Sequence, residues 1–543
     1  MKLEIPEGIV TKVKPKCSSH VLKESRDWGS LQVDHTDLEQ SDLPLLVEAA
    51  AKFDTPAARR LVRKINQLSK LGNGKAHHNL ELLADEMRAV VQKLPHRWIF
   101  KENDLAANTC DPYLVTSIEF IPAESRSDYY IPAHIRVGAK AICRGEEVSL
   151  TRSIHRENMN GNDFTAEGMF PLAEWVLETP ELVEEYQNSC NRYSRIRQKE
   201  GLQLTVRGLA EAESDSGRYW DVKRVRLDRD GVVGRAVLDD GEKWGEDKNT
   251  VVLRDSIKRA KSEDEEEHAE ATLLPEHPYV RVFDMRTHTY CVTHVDNTRE
   301  YLYDRTIFDR IVIPADHKEL IDALVTSDRS GDDLVAGKGK GVVILSSGSP
   351  GTGKTITAEA YSERSHKPLY SVQCSQLGLD PESLEKELGI VLNRAMRWGA
   401  ILLLDEADVY IRARGDDINQ NAVVGVFLRL LEYYTGVLFM TTNRSTMVDD
   451  AILSRCVVHI RYKVPEKEDA KKVWKLMFEL FCQAKLTDSL AVQLLTEFPT
   501  VSPRTVKQLC RLAKTMSVRL SKPLDLSMFK WIARFQDMEE SRS

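Results

Sequence analysis

An excess of positive charge, paired cysteines and long apolar runs are all missing from this 543-residue chain, and each absence excludes something. Lys and Arg number 76 against 84 Asp and Glu, a net charge of −8, so the chain-wide basic footprint of a nucleic-acid binder is absent. The nine cysteines (Cys17, Cys110, Cys143, Cys190, Cys291, Cys374, Cys456, Cys482 and Cys510) stand singly, with no C-x-x-C pair. That usage argues for reduced thiols and against a zinc ribbon or disulfide scaffold. The tightest metal-like spacing is His288-x-x-Cys291-x-x-His294. On a strand, residue 291 faces away from both histidines, so the spacing reads as ordinary sheet. No apolar run approaches the ~18–20 residues of a membrane helix, and Ala400–Leu404 is typical of those present. The opening Met1-Lys2-Leu3-Glu4-Ile5-Pro6 carries an early acid and proline, unlike a secretory signal. A soluble, cytoplasmic protein without a membrane partner is expected. No fixed-period repeat is seen.

What is present is ordinary globular composition, 42% apolar and 29% charged, on a length suited to about three to five domains. Leu45, Leu46, Ala49, Ala50 and Phe53 recur at helical spacing, as do Leu80, Leu83, Met87, Val90, Val91 and Leu94, with Gly72-Asn73-Gly74 as a turn between them. Residues 1–105 therefore read as a helical segment built on two antiparallel helices. From 106 to 257 the period shortens to two. Ile131, Ala133, Ile135, Val137, Ala139 and Ala141 alternate with mostly polar neighbours, and after a helical interval near 172–193 further strands lie around 202–206, 219–227, 232–238 and 251–253. This predicts a β-rich α+β domain holding a small antiparallel sheet or barrel. The acidic run Ser262–Glu267 marks a solvated linker over 258–278, and 279–330 reads as a short β/α connector.

Chemistry concentrates further on. The apolar stretch Gly341–Leu345 precedes Gly348-Ser349-Pro350-Gly351-Thr352-Gly353-Lys354-Thr355, and helix-forming sequence begins at Ile356. G-x-x-x-x-G-K-T between strand and helix is a phosphate loop: glycines let backbone N–H groups wrap an anion, and the helix dipole adds positive potential. Lys354 is expected to reach the β- and γ-phosphates, and the Thr355 hydroxyl to ligate Mg²⁺. A second apolar run, Ile401–Leu404, ends in Asp405-Glu406. Ligands bind at the carboxyl ends of such buried parallel strands, which puts Asp405 beside the metal and Glu406 at the attacking water. A third apolar strand, 436–442, ends in Asn443, either a γ-phosphate contact or a strand-end cap.

Taken in order, the phosphate loop (Walker A), the Asp-Glu strand (Walker B) and the strand ending in Asn443 (sensor 1) resemble an AAA-type ATPase of the AAA+ superfamily, over roughly residues 331–540. The resemblance implies a P-loop α/β fold, with a parallel-sheet core over 331–463 and a helical lid over 464–543. It implies ATP and Mg²⁺ as ligands and ATP hydrolysis as the activity. Nucleotide contacts would come from Gly348, Ser349, Pro350, Gly351, Thr352, Gly353, Lys354, Thr355 and Ile356, with Leu334 and Val335 against the adenine. Thr355 and Asp405 would hold the metal. Arg455, in the triplet Ser454-Arg455-Cys456, falls where the family carries an arginine finger acting in trans, and Arg504 where many members place a sensor 2 arginine. A finger in trans implies a homo-oligomeric ring, most simply a hexamer. The family's aromatic pore loop is absent: Cys374–Pro381 follows the second strand, and Leu377 and Leu379 are the apolar residues available there.

The region before about Ile311 carries no motif that points to a particular family. Its basic, aromatic stretch Arg218-Tyr219-Trp220-Asp221-Val222-Lys223-Arg224-Val225-Arg226 suits either a solvated strand face or stacking on nucleic acid. The combined reading is an ATP-driven machine remodelling a protein substrate or adaptor held by that half. Its alternatives are an ATP-gated nucleic-acid-binding assembly and a nucleotide-controlled scaffold.

Overall fold

The computed structural model describes the chain except residues 1, 25–30, 35–36, 40, 54–57, 59–60, 63–64, 67–78, 107–108, 127–128, 144, 156–164, 213–222, 229–231, 240–273, 314, 327–340, 379, 445–447 and 537–543. The acidic run, Leu334, Val335, Leu379 and the aromatic part of the 218–226 stretch therefore lie outside the described residues. Two compact units divide the chain, one of residues 1–199 and 204–300, the other of 200–203 and 301–543.

In the first unit the two predicted helical stretches do not pair with each other. The helix Asp42–Ala50 shares a core with the helix Glu7–Val13 and with strands Lys2–Ile5 and Leu31–Asp34, which pair antiparallel. The helix Leu80–Gln92 instead turns Leu80, Leu83, Ala84, Met87 and Val91 onto a different core. That core is one face of a six-stranded sheet, supplied by alternate residues Ile135, Val137 and Ala139 of strand His134–Cys143. Periodicity shows that a helix has an apolar face; which other face covers it depends on the whole chain.

The 279–330 connector is also corrected. Strands Tyr279–Asp284, Thr289–His294 and Thr298–Glu300 belong to the same seven-stranded sheet as Gln203–Val206, Leu209–Ala212, Lys223–Arg226 and Gly234–Leu238. Ala236, Val237 and Leu238 pair with Asp284, Phe283 and Val282. Strands Gly234–Leu238 and Tyr279–Asp284, on either side of residues 240–273 in sequence, share that sheet, whereas the short strand Glu276–His277 between them pairs with His134–Cys143 of the six-stranded sheet. Composition marks a solvated segment but cannot tell whether the chain afterwards returns to the sheet it left. His288 lies in the turn before its strand at φ 57°, Cys291 and His294 are buried, and no metal-holding group occurs among the described residues. No helix among the described residues is long and apolar enough to cross a membrane.

The second unit holds five strands, β1 (Val342–Gly348), β2 (Leu369–Gln373), β3 (Ile401–Asp405), β4 (Val437–Thr442) and β5 (Val458–Tyr462), all parallel in the order β2-β3-β4-β1-β5. Between them run α1 (Lys354–Ser365), α2 (Pro381–Arg397), α3 (Ile418–Glu432) and α4 (Asp450–Arg455). Ile401, Leu402, Leu403 and Leu404 are fully buried, each contributing about 1.5–3 kcal/mol of hydrophobic stabilisation. Four further helices follow, α5 (Lys467–Cys482), α6 (Asp488–Glu497), α7 (Pro503–Leu520) and α8 (Leu526–Ala533). They share a core of Trp474, Phe478, Leu494, Leu509, Phe529 and Ile532. Ser502 caps α7, its hydroxyl accepting from the Thr505 N–H at 3.2 Å, with Pro503 in the first turn.

Candidate active site

Gly348 ends β1 at φ 148°, where a Cβ would lie 2.2 Å from the Tyr462 carbonyl oxygen of β5. Gly351 sits at φ 78°, with Arg504 Cβ 2.7 Å from where its own Cβ would stand. Neither position accepts a side chain, so the loop stays a bare backbone cradle. Thr352 Oγ1 closes its turn by donating to the Ser349 carbonyl at 2.8 Å. Helix α1 begins at Lys354, two residues before the sequence indicated, so the amides of its first turn face the loop without intrahelical acceptors.

Lys354 is only 8% exposed. Its Nζ donates to the Gly348 carbonyl (2.7 Å), the Ser349 carbonyl (2.8 Å) and Asn443 Oδ1 (3.0 Å). An ammonium only donates, so the Asn443 amide must turn its oxygen inward, leaving its NH₂ to donate elsewhere. All three acceptors are uncharged, and no carboxylate lies within ion-pair distance of this ammonium among the described residues. Burial draws the Lys354 pKa down, Asp405 draws it up and Arg504 down again. A buried cation without a counter-charge costs several kcal/mol, so this cradle fits an anionic ligand.

Across the site, Thr355 Oγ1 lies 3.3 Å and 3.5 Å from the two oxygens of Asp405 at the tip of β3. A hydroxyl beside a carboxylate is a hard-oxygen set that fits Mg²⁺. Glu406 follows at φ 57°, a left-handed conformation that costs a non-glycine residue about 1–3 kcal/mol and persists only where the surroundings hold it. Its carboxylate is exposed and carries no hydrogen bond or ion pair among the described residues.

The structure therefore gathers Lys354, Thr355, Asp405, Glu406 and Asn443 at neighbouring strand tips. Arg504 joins them through its backbone, its N–H donating to the Gly351 carbonyl at 3.3 Å. Ser349 and Pro350 are exposed on the loop, and Ile356 is 46% exposed on α1. Arg455 is engaged elsewhere. At the end of α4 it pairs with Glu432 of α3 at 3.4 Å, both side chains about a third exposed, a contact worth at most about 1 kcal/mol.

Three features escaped the sequence reading. Leu377 is 2% exposed, so it offers no grip at a pore. The Tyr410 hydroxyl lies 2.7 Å from the Cys374 and Gly378 carbonyls and holds that turn onto the core. Thr441 and Thr442 bond to acids at and just beyond the end of β3: Thr441 Oγ1 to Asp405 at its tip, Thr442 Oγ1 to Asp408, which starts the short helix Asp408–Ile411. Two threonines immediately before Asn443 were the available signal. Burial beside Asp405, Asp408 and Glu406 pushes the Cys374 thiol up to about 12, burial being the larger cause, so it stays protonated.

A parallel sheet with a glycine loop and an acid at nearby strand tips defines a P-loop α/β domain. Residues 344–464 match the model of the family described as "ATPase family associated with various cellular activities (AAA)", and that segment is an AAA domain. Similar proteins align over this part of the chain. A putative 26S proteasome regulatory subunit homolog from Methanothermobacter thermautotrophicus is 27% identical over 209 residues, 37% of this chain and 52% of its own. The ATP-dependent zinc metalloprotease FtsH from Karelsulcia muelleri is 24% identical over 227 residues, covering 38% and 35%. Human fidgetin-like protein 1 is 26% identical over 204 residues, covering 35% and 29%. The chain thus spans about a third to a half of the length of these relatives.

Proposed function

We propose that the second unit binds ATP with Mg²⁺ and hydrolyses it, and that the cycle remodels a protein partner held by the first unit. The observation that carries this is the buried Lys354 ammonium with only neutral acceptors, set beside the Thr355–Asp405 oxygens. In this reading the loop amides and Lys354 bind the phosphates, Asn443 and Arg504 address the γ-phosphate, and Glu406 accepts a proton from the attacking water. Thr355 and Asp405 hold Mg²⁺, which supplies charge neutralisation at the phosphates. Leu334 and Val335 flank the adenine, and helices α5–α8 form a lid over the nucleotide.

The ring is part of the proposal. Arg455 would leave its weak pair with Glu432 to reach a neighbour's nucleotide, which makes the active species an oligomer, most simply a hexamer. Buried Leu377 favours a mechanism without threading at that turn. Arg224 pairs with Asp104 at 3.1 Å and Arg226 with Asp228 at 3.0 Å, and this neutralisation favours a protein partner over nucleic acid.

Purified protein should release phosphate from ATP with Mg²⁺ and lose that activity when the metal is chelated; folded protein that neither binds nor cleaves ATP discards the proposal. Inactive Arg455→Ala and inactive Glu406→Gln subunits, mixed, should regain a measurable fraction of wild-type turnover, since each supplies what the other lacks. No recovery in co-assembled mixtures would remove Arg455 from the site.

A further inference from the structure

We infer that Thr441 is a positioning residue for this active site, its hydroxyl setting Asp405 and Glu406 in one fixed relation; the inference rests on the ATPase reading above. The β3–β4 register ends at the pair Leu404 and Met440; Asp405 stays paired with Gln373 of β2, and the chain leaves the sheet at Glu406. Thr441 holds what departs. Its Oγ1 donates to Asp405 Oδ1 at 2.5 Å and accepts the Glu406 N–H at 2.9 Å, while its carbonyl accepts the Ala407 N–H at 2.9 Å. The residue is 2% exposed, so water cannot readily replace these bonds.

The donor and acceptor capacities match. A hydroxyl has one proton and two lone pairs; here the proton goes to Asp405 and a lone pair receives Glu406. The same Asp405 oxygen faces the Thr355 hydroxyl at 3.3 Å, so one carboxylate is held from α1 on one side and from β4 on the other. Glu406 has no side-chain bond to orient it among the described residues, and its left-handed backbone sets where its carboxylate points. The Thr441 hydroxyl is the side-chain group bonded to that backbone. Its neighbour Thr442 serves a separate corner, bonding Asp408 and accepting the Arg444 N–H at 2.9 Å.

Valine keeps the shape of threonine and removes only the hydroxyl. Thr441→Val should therefore lower kcat by roughly 10–100-fold, the scale of a misplaced catalytic group, while the Kd for ATP stays within about threefold. Thr441→Ser, which restores the hydroxyl, should keep kcat within about threefold of wild type. Turnover, equilibrium binding of a fluorescent ATP analogue and thermal melting are measured on the full chain. Wild-type kcat in Thr441→Val overturns the inference. So does an equal loss in Thr441→Ser, which would assign the effect to packing by the methyl group, and so does a loss confined to binding. Should the valine variant not fold, Thr441→Ala carries the same expectations. Wild-type protein without turnover overturns the ATPase reading and this one with it; turnover that Thr441→Val leaves unchanged overturns this one alone.

Discussion

Lys354→Ala will abolish detectable ATP binding and lower kcat/KM by at least ~100-fold. Lys354 is the one side-chain cation bonded inside the loop, donating to the Gly348 and Ser349 carbonyls and to Asn443, with no carboxylate partner among the described residues. No carboxylate pairs with it directly, and Asp405 and Asp408 act on it only from a distance, so a bound anion would be its direct counter-charge and the loss should appear at binding as well as at turnover. The effect on the ligand-free protein runs differently. Burial depresses the Lys354 pKa, so the charge is itself held at a cost, and alanine relieves that cost while stranding three acceptors. The melting temperature without nucleotide should shift by only a few degrees, and the rise expected of wild-type protein with saturating Mg-ATP should vanish. Binding isotherms and melts with and without nucleotide check both parts. Unchanged affinity would take Lys354 out of the nucleotide site.

Glu406→Gln should separate binding from chemistry. Turnover is expected to drop by at least ~100-fold while ATP affinity stays near wild type. The substitution preserves shape and removes a proton acceptor. Glu406 is exposed and makes no side-chain bond among the described residues, so little folding energy depends on its charge. Its left-handed backbone is held from Thr441, which the substitution does not touch. Steady-state phosphate release against equilibrium binding reads the separation directly, and equal turnover in wild type and variant would discard Glu406 as the base. A variant that holds ATP without cleaving it is also the form in which to test for the protein partner proposed for the first unit.

The candidate site was legible in one dimension because its chemistry depends on residue type at fixed spacing along a continuous backbone. Gly348 through Thr355 form one loop, and its glycines are needed where a Cβ would strike Tyr462 and Arg504. Asp405 and Asn443 were legible because each ends an apolar run, and buried parallel strands present their carboxyl ends on one side. Arg455 was placed by resemblance alone, and its ion pair with Glu432 lies across two helices that no local pattern links. The burial of Leu377 was hidden for a related reason: a leucine in a turn reads the same whether its side chain faces a pore or a core.

The first unit was less legible. Its periods of 3.6 and 2 predicted helices and strands that exist, yet not their partners. The apolar stripe of Leu80–Gln92 is equally satisfied by a helix or a sheet, and the sheet that covers it draws on residues some fifty positions away. Residues 279–300 looked like a connector because they follow a long acidic segment, whereas they complete the sheet begun before it.

By itself the sequence determined the phosphate loop, the acids at the tip of β3 and the strand that ends at Asn443, since these are properties of short segments: flexibility at glycine, charge at Lys354 and Asp405, and apolarity in between. Only the tertiary structure decided what faces what. It set Thr441 against Asp405 and Glu406, sent Leu377 inward, and from Tyr279 onward brought the chain back to the sheet begun by Gln203–Val206. Such pairings are won by burying apolar faces and satisfying backbone groups over distances in sequence that no local pattern encodes.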